Sequence, residues 1–379
     1  NNALTYRNEY PRLSSFNMSL QDIIEPEKVE EVLLSHLKEN KIFPKGPKLW
    51  TIRTSLLGGR GMFATRDIKQ NELIFIDSPL LVGPKYTSEH FQMCVSCYKN
   101  ECALFPCDRG CGLPVCSTQC ENSPKHVNYE CEYLKSLVPT CGTDWSPNLL
   151  VAVVPIRALF LTEQQRKCLA TLQSDKYLTC YREVRLRYED MELMKHVCRI
   201  LNTNSFETIM VHDKEHSTNL RGLYSIASFQ NHCCIPNTRH HFDREFRMYV
   251  NAALPIAAGE EITSTYTSLF WDTTLRREFL SITKHFSCMC KRCSDPTASL
   301  YLMITFRCID IYPLNMTTPW ICDKCEVSYK TPREIYKFLQ KELSLLTPWS
   351  NYCIVDMKFR IVSYYGRSDG AKWEGADNI

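Results

Sequence analysis

The segment from Cys94 to Cys131 constrains this chain more than any other. It carries eight ligand-like side chains, Cys94, Cys97, Cys107, Cys111, Cys116, Cys120, His126 and Cys131, with little core-forming sequence between them. Burial alone cannot fold so short and polar a block. Two zinc ions in tetrahedral sites would supply the missing stability, at about 10–16 kcal/mol per structural site. The spacing points the same way: C-x-C, C-x2-C and C-x3-C pairs recur along the chain, and two thiolates that close can face one ion. Their backbones are badly placed for many long-range disulfides. Sites closed at four ligands leave no position for a substrate, so these are expected to be structural.

Cysteine is abundant throughout, 21 in 379 residues. The first twenty residues have neither the basic start nor the apolar run of a signal peptide. Metal in a reducing compartment is therefore expected rather than disulfides, with a cytoplasmic and/or nuclear location. On that reading the sequons at Asn17 and Asn315 are chance matches. The longest apolar run, Leu149 to Phe160, is broken by Pro155 and Arg157. It is too short for about 30 Å of hydrocarbon, so no membrane span is expected. Lys+Arg 45 against Asp+Glu 42 leaves +3, without the basic excess of a dedicated nucleic-acid binder.

Periodicity organises the rest. After Pro26, Val29, Leu33 and Leu37 recur four apart with Val32 and Leu34 beside them, which predicts a helix packed on a core by one face. WTIRTSLLGGRGMFATRDI and ELIFIDSPLLVG read as short strands with a Gly-rich turn. Residues 148–210 read as helical, with apolar spacing at Leu186, Leu193, Met194, Val197 and Leu201. Strand and loop texture returns from 220 to 267. A helix is expected over about 272–285, capped by Asp272 or Thr273, with Leu275, Phe279, Ile282 and Phe286 on its apolar face. A further helix is expected near 331–346, and residues 366–379 have the composition of a disordered tail.

Four separated motifs carry the functional signal: Gly59-Arg60-Gly61, the run Asn231-His232-Cys233-Cys234-Ile235-Pro236-Asn237, GEEITSTY ending at Tyr266, and Cys288-Met289-Cys290-Lys291-Arg292-Cys293. In this order they resemble the SET methyltransferases, with GxG, NHxCxPN, GEEIxxxY and a post-SET C-x-C-x2-C. The block at 94–131 resembles a MYND zinc finger, and its place between the first and second motifs is the layout of the SMYD family, nearest to the insect SmydA branch. The resemblance implies a mixed α+β chain whose short curved SET sheets carry inserted segments. The implied parts are an N-terminal extension with a helix (1–45), the first part of the SET domain (46–93), the MYND finger (94–131) and a helical insert (132–210). The SET core (211–270), the post-SET zinc segment (271–295) and a short helical C-terminal region (296–379) follow.

Residue by residue, the resemblance implies that Gly59, Arg60 and Gly61 line the methionine part of S-adenosylmethionine. Asn204 would contact the cofactor, Asn231 and His232 would fix its adenosyl part, and Phe286 would pack on the adenine. Tyr266 would be catalytic and would also touch the cofactor. Three zinc ions are implied: one held by Cys94, Cys97, Cys116 and Cys120, one by Cys107, Cys111, His126 and Cys131, and a third by Cys234, Cys288, Cys290 and Cys293. The third would tie the 231–237 loop to the post-SET segment and so help complete the lysine channel.

The chemistry suits these residues. Methyl transfer from a sulfonium to an amine is an in-line displacement that needs a neutral, aligned lysine and no metal, so positioning and oxygen dipoles are the enzyme's main contribution. The expected activity is S-adenosylmethionine-dependent N-methylation of a lysine on histones or other proteins in transcriptional regulation. The expected partners are that protein substrate and peptides docking on the MYND finger, with the chain a monomer.

Several positions depart from the family pattern. Cys107 and Cys111 are C-x3-C rather than C-x2-C, and the His126 to Cys131 spacing is one residue long, so Cys102 is an alternative ligand for the second site. Cys233 stands where serine is usual. Lys284-His285 precede Phe286 where relatives place a channel-lining tyrosine. A cation there either repels an incoming lysine ammonium or points to solvent from a helix end. Cys308, Cys322 and Cys325 are three-quarters of another ribbon, degenerate or completed by a ligand such as Cys353. An alternative reading follows: a catalytically weak or inactive SET-fold adaptor acting through protein–protein interaction of its MYND finger.

Overall fold

A computed structural model of the protein describes residues 25–42, 46–85, 92–137, 147–175, 187–212, 217–268, 271 and 273–294, with two short strands at Trp320–Ile321 and Ser328–Tyr329. The expected ribbon at Cys308, Cys322 and Cys325, the helix near 331–346 and the tail lie outside the described residues. The chain divides into two compact units: residues up to Asn231 together with 236–264, and residues 232–235 together with 265 onward. Among the described residues no helix is long and apolar enough to cross a membrane.

The first unit is a mixed α+β assembly of short antiparallel sheets. Helix α1 (Pro26–Glu39) starts on a proline whose missing N–H needs no partner there, and buries Val29, Leu33 and Leu37 as the four-residue spacing predicts. It also buries His36, which periodicity had not marked. Asn40 closes the helix by donating from Nδ2 to the His36 carbonyl at 2.8 Å. Strands β1 (Trp50–Thr54) and β2 (Arg60–Ala64) pair with Ile52 opposite Met62.

The remaining strands complete this sheet and build two three-stranded ones. Strand β3 (Leu73–Asp77) lies beside β9 (Met248–Ala252), which also pairs with β8 (Thr238–Phe242). Strand β4 (Pro79–Pro84) joins β6 (Ser217–Tyr224), whose other neighbour is β5 (Ser205–Val211). Strand β10 (Glu261–Ser264) lies against β2, and the two-residue strand β7 (Asn231–His232) follows it in the sheet order.

Helix α2 (Pro147–Ala158) explains the apolar run. Leu150, Val153 and Ile156 pack into a core shared with the cysteine block, while Val154 and Ala158 pack into the core of the sheets. A helix gripped from two sides is apolar all round. Helix α3 (Glu163–Ala170) opens on a reciprocal cap between Thr162 and Gln165. Helix α4 (Tyr188–Asn204) buries Leu193, Met194, Val197 and Leu201.

Two expectations need correction. The helical texture assigned to 148–210 stops at Asn204, and Ser205–Val211 is strand β5. Its residues Thr208, Ile209 and Val211 are β-branched, and β6 gives them a full antiparallel partner that local periodicity does not reveal. In the second unit helix α5 (Thr273–Lys284) forms as expected, but its buried side is Thr273, Arg276 and Leu280. Leu275 and Ile282, expected inside, are 50% and 67% exposed. The helix turns a guanidinium inward because sulfur ligands lie there.

Candidate functional site and metal centres

The cysteine block gathers its ligands into two groups. Cys94, Cys97, Cys116 and Cys120 form one, and Cys107, Cys111, His126 and Cys131 the other, each with ligand atoms within 4.8 Å of one another. Cys97 and Cys116 sulfurs stand 3.5 Å apart, and Cys116 and Cys120 3.6 Å. In the second group Cys107 and Cys131 are 4.0 Å apart, and His126 Nε2 lies 3.6 Å from Cys111 and 3.5 Å from Cys107. A zinc–sulfur bond of about 2.3 Å in a tetrahedron sets ligands about 3.8 Å apart, so both groups fit the ion. Cys102 is exposed and its sulfur meets the Lys99 carbonyl at 3.8 Å, apart from the second group.

The second centre has a supporting shell that the sequence reading missed. His126 turns Nδ1 to Glu130 at 3.3 Å, and Glu130 accepts from Arg157 at 2.6 and 3.0 Å. This carboxylate–imidazole pair fixes which ring nitrogen faces the metal. Burial pushes the Glu130 carboxyl up, but Arg157 and the His126 hydrogen bond outweigh it and hold it below its ordinary value. Arg157 also donates to the carbonyls of Val82 and Val95 and to the Tyr98 hydroxyl. The i,i+4 spacing of His126 and Glu130, and an arginine inside an apolar run, were the available signals.

In the first unit, the glycine motif runs from the turn after β1, at Gly59, into the start of β2 at Arg60 and Gly61. Gly59 adopts φ +60°, which favours glycine. Gly61 is confined instead: a Cβ there would lie 2.2 Å from Glu261 Oε1 and 2.9 Å from Asn231 Nδ2. Those side chains are themselves held. Asn231 donates to Glu261 at 2.7 Å and to the Arg60 carbonyl at 3.2 Å, and Ser55 donates to Glu261 at 2.8 Å. Glu261 is a further residue the sequence reading left without a task. The Arg60 guanidinium lies over the Phe229 ring, 5.1 Å from its centroid, and donates to the Thr171 carbonyl at 2.6 Å. Asn204 uses Nδ2 to close α4, donating to Ile200 and Gln173 carbonyls at 2.8 and 2.7 Å.

The second unit joins a third cluster to an aromatic group. Cys234, Cys288, Cys290 and Cys293 meet within the same 4.8 Å limit, with Cys234 3.4 Å from Cys293 and 3.9 Å from Cys288. Four thiols at these separations fit a closed zinc site. His232 bridges the cluster to Tyr266: the Tyr266 backbone N–H donates to Nδ1 at 2.9 Å, and Nε2 stands 3.2 Å from Cys234 sulfur. Burial, the largest influence, holds the His232 imidazole down at about 4, so the ring is neutral and carries its proton on Nε2. Its ring faces Tyr266 and Phe286, with centroids 5.4 and 5.9 Å away. Lys284, at the end of α5, places Nζ over the Tyr266 ring 5.6 Å from the centroid. Of the two readings for this lysine, the structure has the one in which it faces the aromatic group.

Comparisons with known proteins find SET-domain relatives. A SET-domain family model matches residues 59–267, more than half of the chain. The chain is 29% identical over 409 residues to the SET domain-containing protein SmydA-8, isoform B, of Drosophila melanogaster, covering 95% of this chain and 89% of that one. It is 24% identical over 270 residues to the N-lysine methyltransferase SMYD2-B of Danio rerio, covering 65% and 60%. Among solved structures, the SET domain of LSMT bound to lysine and AdoHcy aligns over 69% of this chain and 57% of that chain, with a TM-score of 0.36 and 11% identity.

Proposed function

The chain belongs to the SET-domain family, and from that premise we propose that it is an S-adenosylmethionine-dependent protein-lysine N-methyltransferase with three structural zinc ions. The observation that carries the reading is the grouping of Tyr266, His232 and Phe286 against a four-thiol cluster. The side chains suit the cofactor. Ser264 Oγ and Thr267 Oγ1, close to Tyr266 in sequence, are buried without a hydrogen-bond partner.

S-adenosylmethionine, when bound, supplies a sulfonium methyl open to in-line displacement by an amine. In the first unit, Gly59, Arg60 and Gly61 offer backbone and Asn231 a carboxamide to hold it, with Asn204 beside them in role. In the second unit, His232 and Phe286 hold the adenosyl part and Tyr266 is the catalytic residue. His232 orients Tyr266 through its backbone N–H, and the tyrosine hydroxyl supplies an oxygen dipole where the methyl passes. An apolar surround disfavours the charged ammonium and so selects a neutral amine. The acceptor is a lysine on another protein, histones among the candidates, in transcriptional regulation. The finger serves as a peptide-docking module, and the chain acts as a monomer in cytoplasm or nucleus.

A second reading, the silent adaptor, is favoured by Lys284, whose charge occupies the tyrosine face. Calorimetry with S-adenosylmethionine followed by methylation of a lysine peptide pool separates the two. Binding heat and product are expected, with Tyr266→Phe keeping the heat and losing about 100-fold or more in turnover. No binding heat leaves the adaptor, and a Tyr266→Phe rate equal to wild type removes the catalytic role.

A further inference from the structure

Among the described residues of the second unit Arg276 is the most deeply buried charge, with no exposed surface. Its guanidinium is directed at sulfur: Nε stands 3.2 Å from Cys234 and Nη2 3.5 Å from Cys293. Nη1 also donates to the Trp271 carbonyl and Nη2 to Thr273 Oγ1 at 3.1 Å, which orients the fork. The next residue, Arg277, grips the same loop by backbone, donating to the carbonyls of Cys288 at 3.2 Å and Cys293 at 3.0 Å.

Charge gives this arrangement a purpose. Four thiolates around one divalent zinc leave a net charge of −2 in a buried place, which is costly unless countered. A guanidinium never loses its proton at working pH, and N–H donors to a ligating sulfur draw charge off it. A merely space-filling residue on this helix face would be apolar, as Leu280 is one turn on.

We propose that Arg276 is the counter-cation and positioning residue of the third zinc, so that the metal is retained through it and α5 is held to the cluster by it. Zinc in this cluster then fixes the helix whose last residue, Lys284, reaches Tyr266. The inference rests on the zinc reading of the four thiols and not on methyl transfer.

Zinc release from the full chain to a chromophoric chelator tests it, together with the thiolate-to-metal absorption of the cobalt-substituted protein. Wild type should yield three equivalents. In Arg276→Gln one equivalent of the three should leave about tenfold faster or more, the others unchanged, and the cobalt band should shift. Arg276→Lys, which keeps the charge but not the fork, should fall between. Three equivalents leaving Arg276→Gln at wild-type rates overturn the proposal. Should that variant fail to fold, a wild-type release rate in Arg276→Lys overturns it equally. A wild type holding only two equivalents would instead remove the zinc reading of the cluster.

Discussion

The ammonium of Lys284 lies over the ring of Tyr266, 5.6 Å from its centroid. A substrate lysine approaching the same tyrosine meets a fixed like charge. Two charges about 5 Å apart repel by about 3 kcal/mol at an effective dielectric of 20. Screening of a partly exposed pair leaves about half of that, so Lys284→Met should raise kcat/KM for a lysine peptide by about tenfold, read as S-adenosylhomocysteine formed. An unchanged or slower rate would make Lys284 part of the acceptor site rather than an obstacle to it.

The two motif glycines should differ in what they tolerate. Gly59→Ala meets open space and bears only the left-handed backbone penalty, about 1 kcal/mol. Gly61→Ala drives a methyl into Glu261 and Asn231, and overpacking of this kind costs about 1–3 kcal/mol. Urea midpoints should rank the variants in that order, and only Gly61→Ala should weaken S-adenosylmethionine binding by disturbing Asn231. The reverse ranking would mean that the Asn231–Glu261 pair yields easily.

Glu130→Gln removes the charge that joins His126 to Arg157 in a buried setting. Zinc affinity of the second centre should fall about 10–100-fold. Stability should drop by about 3–5 kcal/mol, because the Arg157 guanidinium loses its counter-ion. Competitive chelation and denaturant titration read the two effects separately. Wild-type zinc retention in this variant would deny Glu130 its supporting part.

Asp77 supplies a pH dependence. It is fully buried; burial lifts its carboxyl from 3.8 to about 6, against opposing pulls from His36 and the Ala227 and Ile226 N–H groups. A folded pKa raised above the unfolded one gives stability that is full below about pH 4 and lost as pH rises through about 6. The loss is about 3 kcal/mol by linkage. Wild type should thus lose stability relative to Asp77→Asn between pH 4 and 6, with the difference flat above pH 7. Parallel denaturation curves of the two proteins across that range would contradict the assignment.

What could be read from sequence depended on whether the interaction was local. The ligands of the finger announce themselves because paired ones sit three to five residues apart, and α1 because its apolar residues recur on one face. Helix α5 shows where that logic stops. Counting apolar residues selects Leu275 and Ile282, whereas the fold buries Arg276 because Cys234 and Cys293 arrive from distant sequence. Strand β5 was hidden likewise, since only its pairing with β6 distinguishes Ser205–Val211 from the helical stretch before it. Glu130 and Arg157 meet only when the fold brings them together beside the second ligand group, across 27 residues of sequence. The glycine of the GxG motif that looked like a ligand cradle is also a steric necessity of the Asn231–Glu261 contact.

Arg157 has a practical bearing on how the protein can be dissected. One guanidinium reaches the finger at Val95, Tyr98 and Glu130 and the sheet at Val82. A fragment cut out as bait for partner hunting would lose that tie at its base, and the truncated remainder would keep the guanidinium without most of its acceptors. The finger is better treated as a graft than as a detachable module, and pull-downs should be run with point-mutated whole chains.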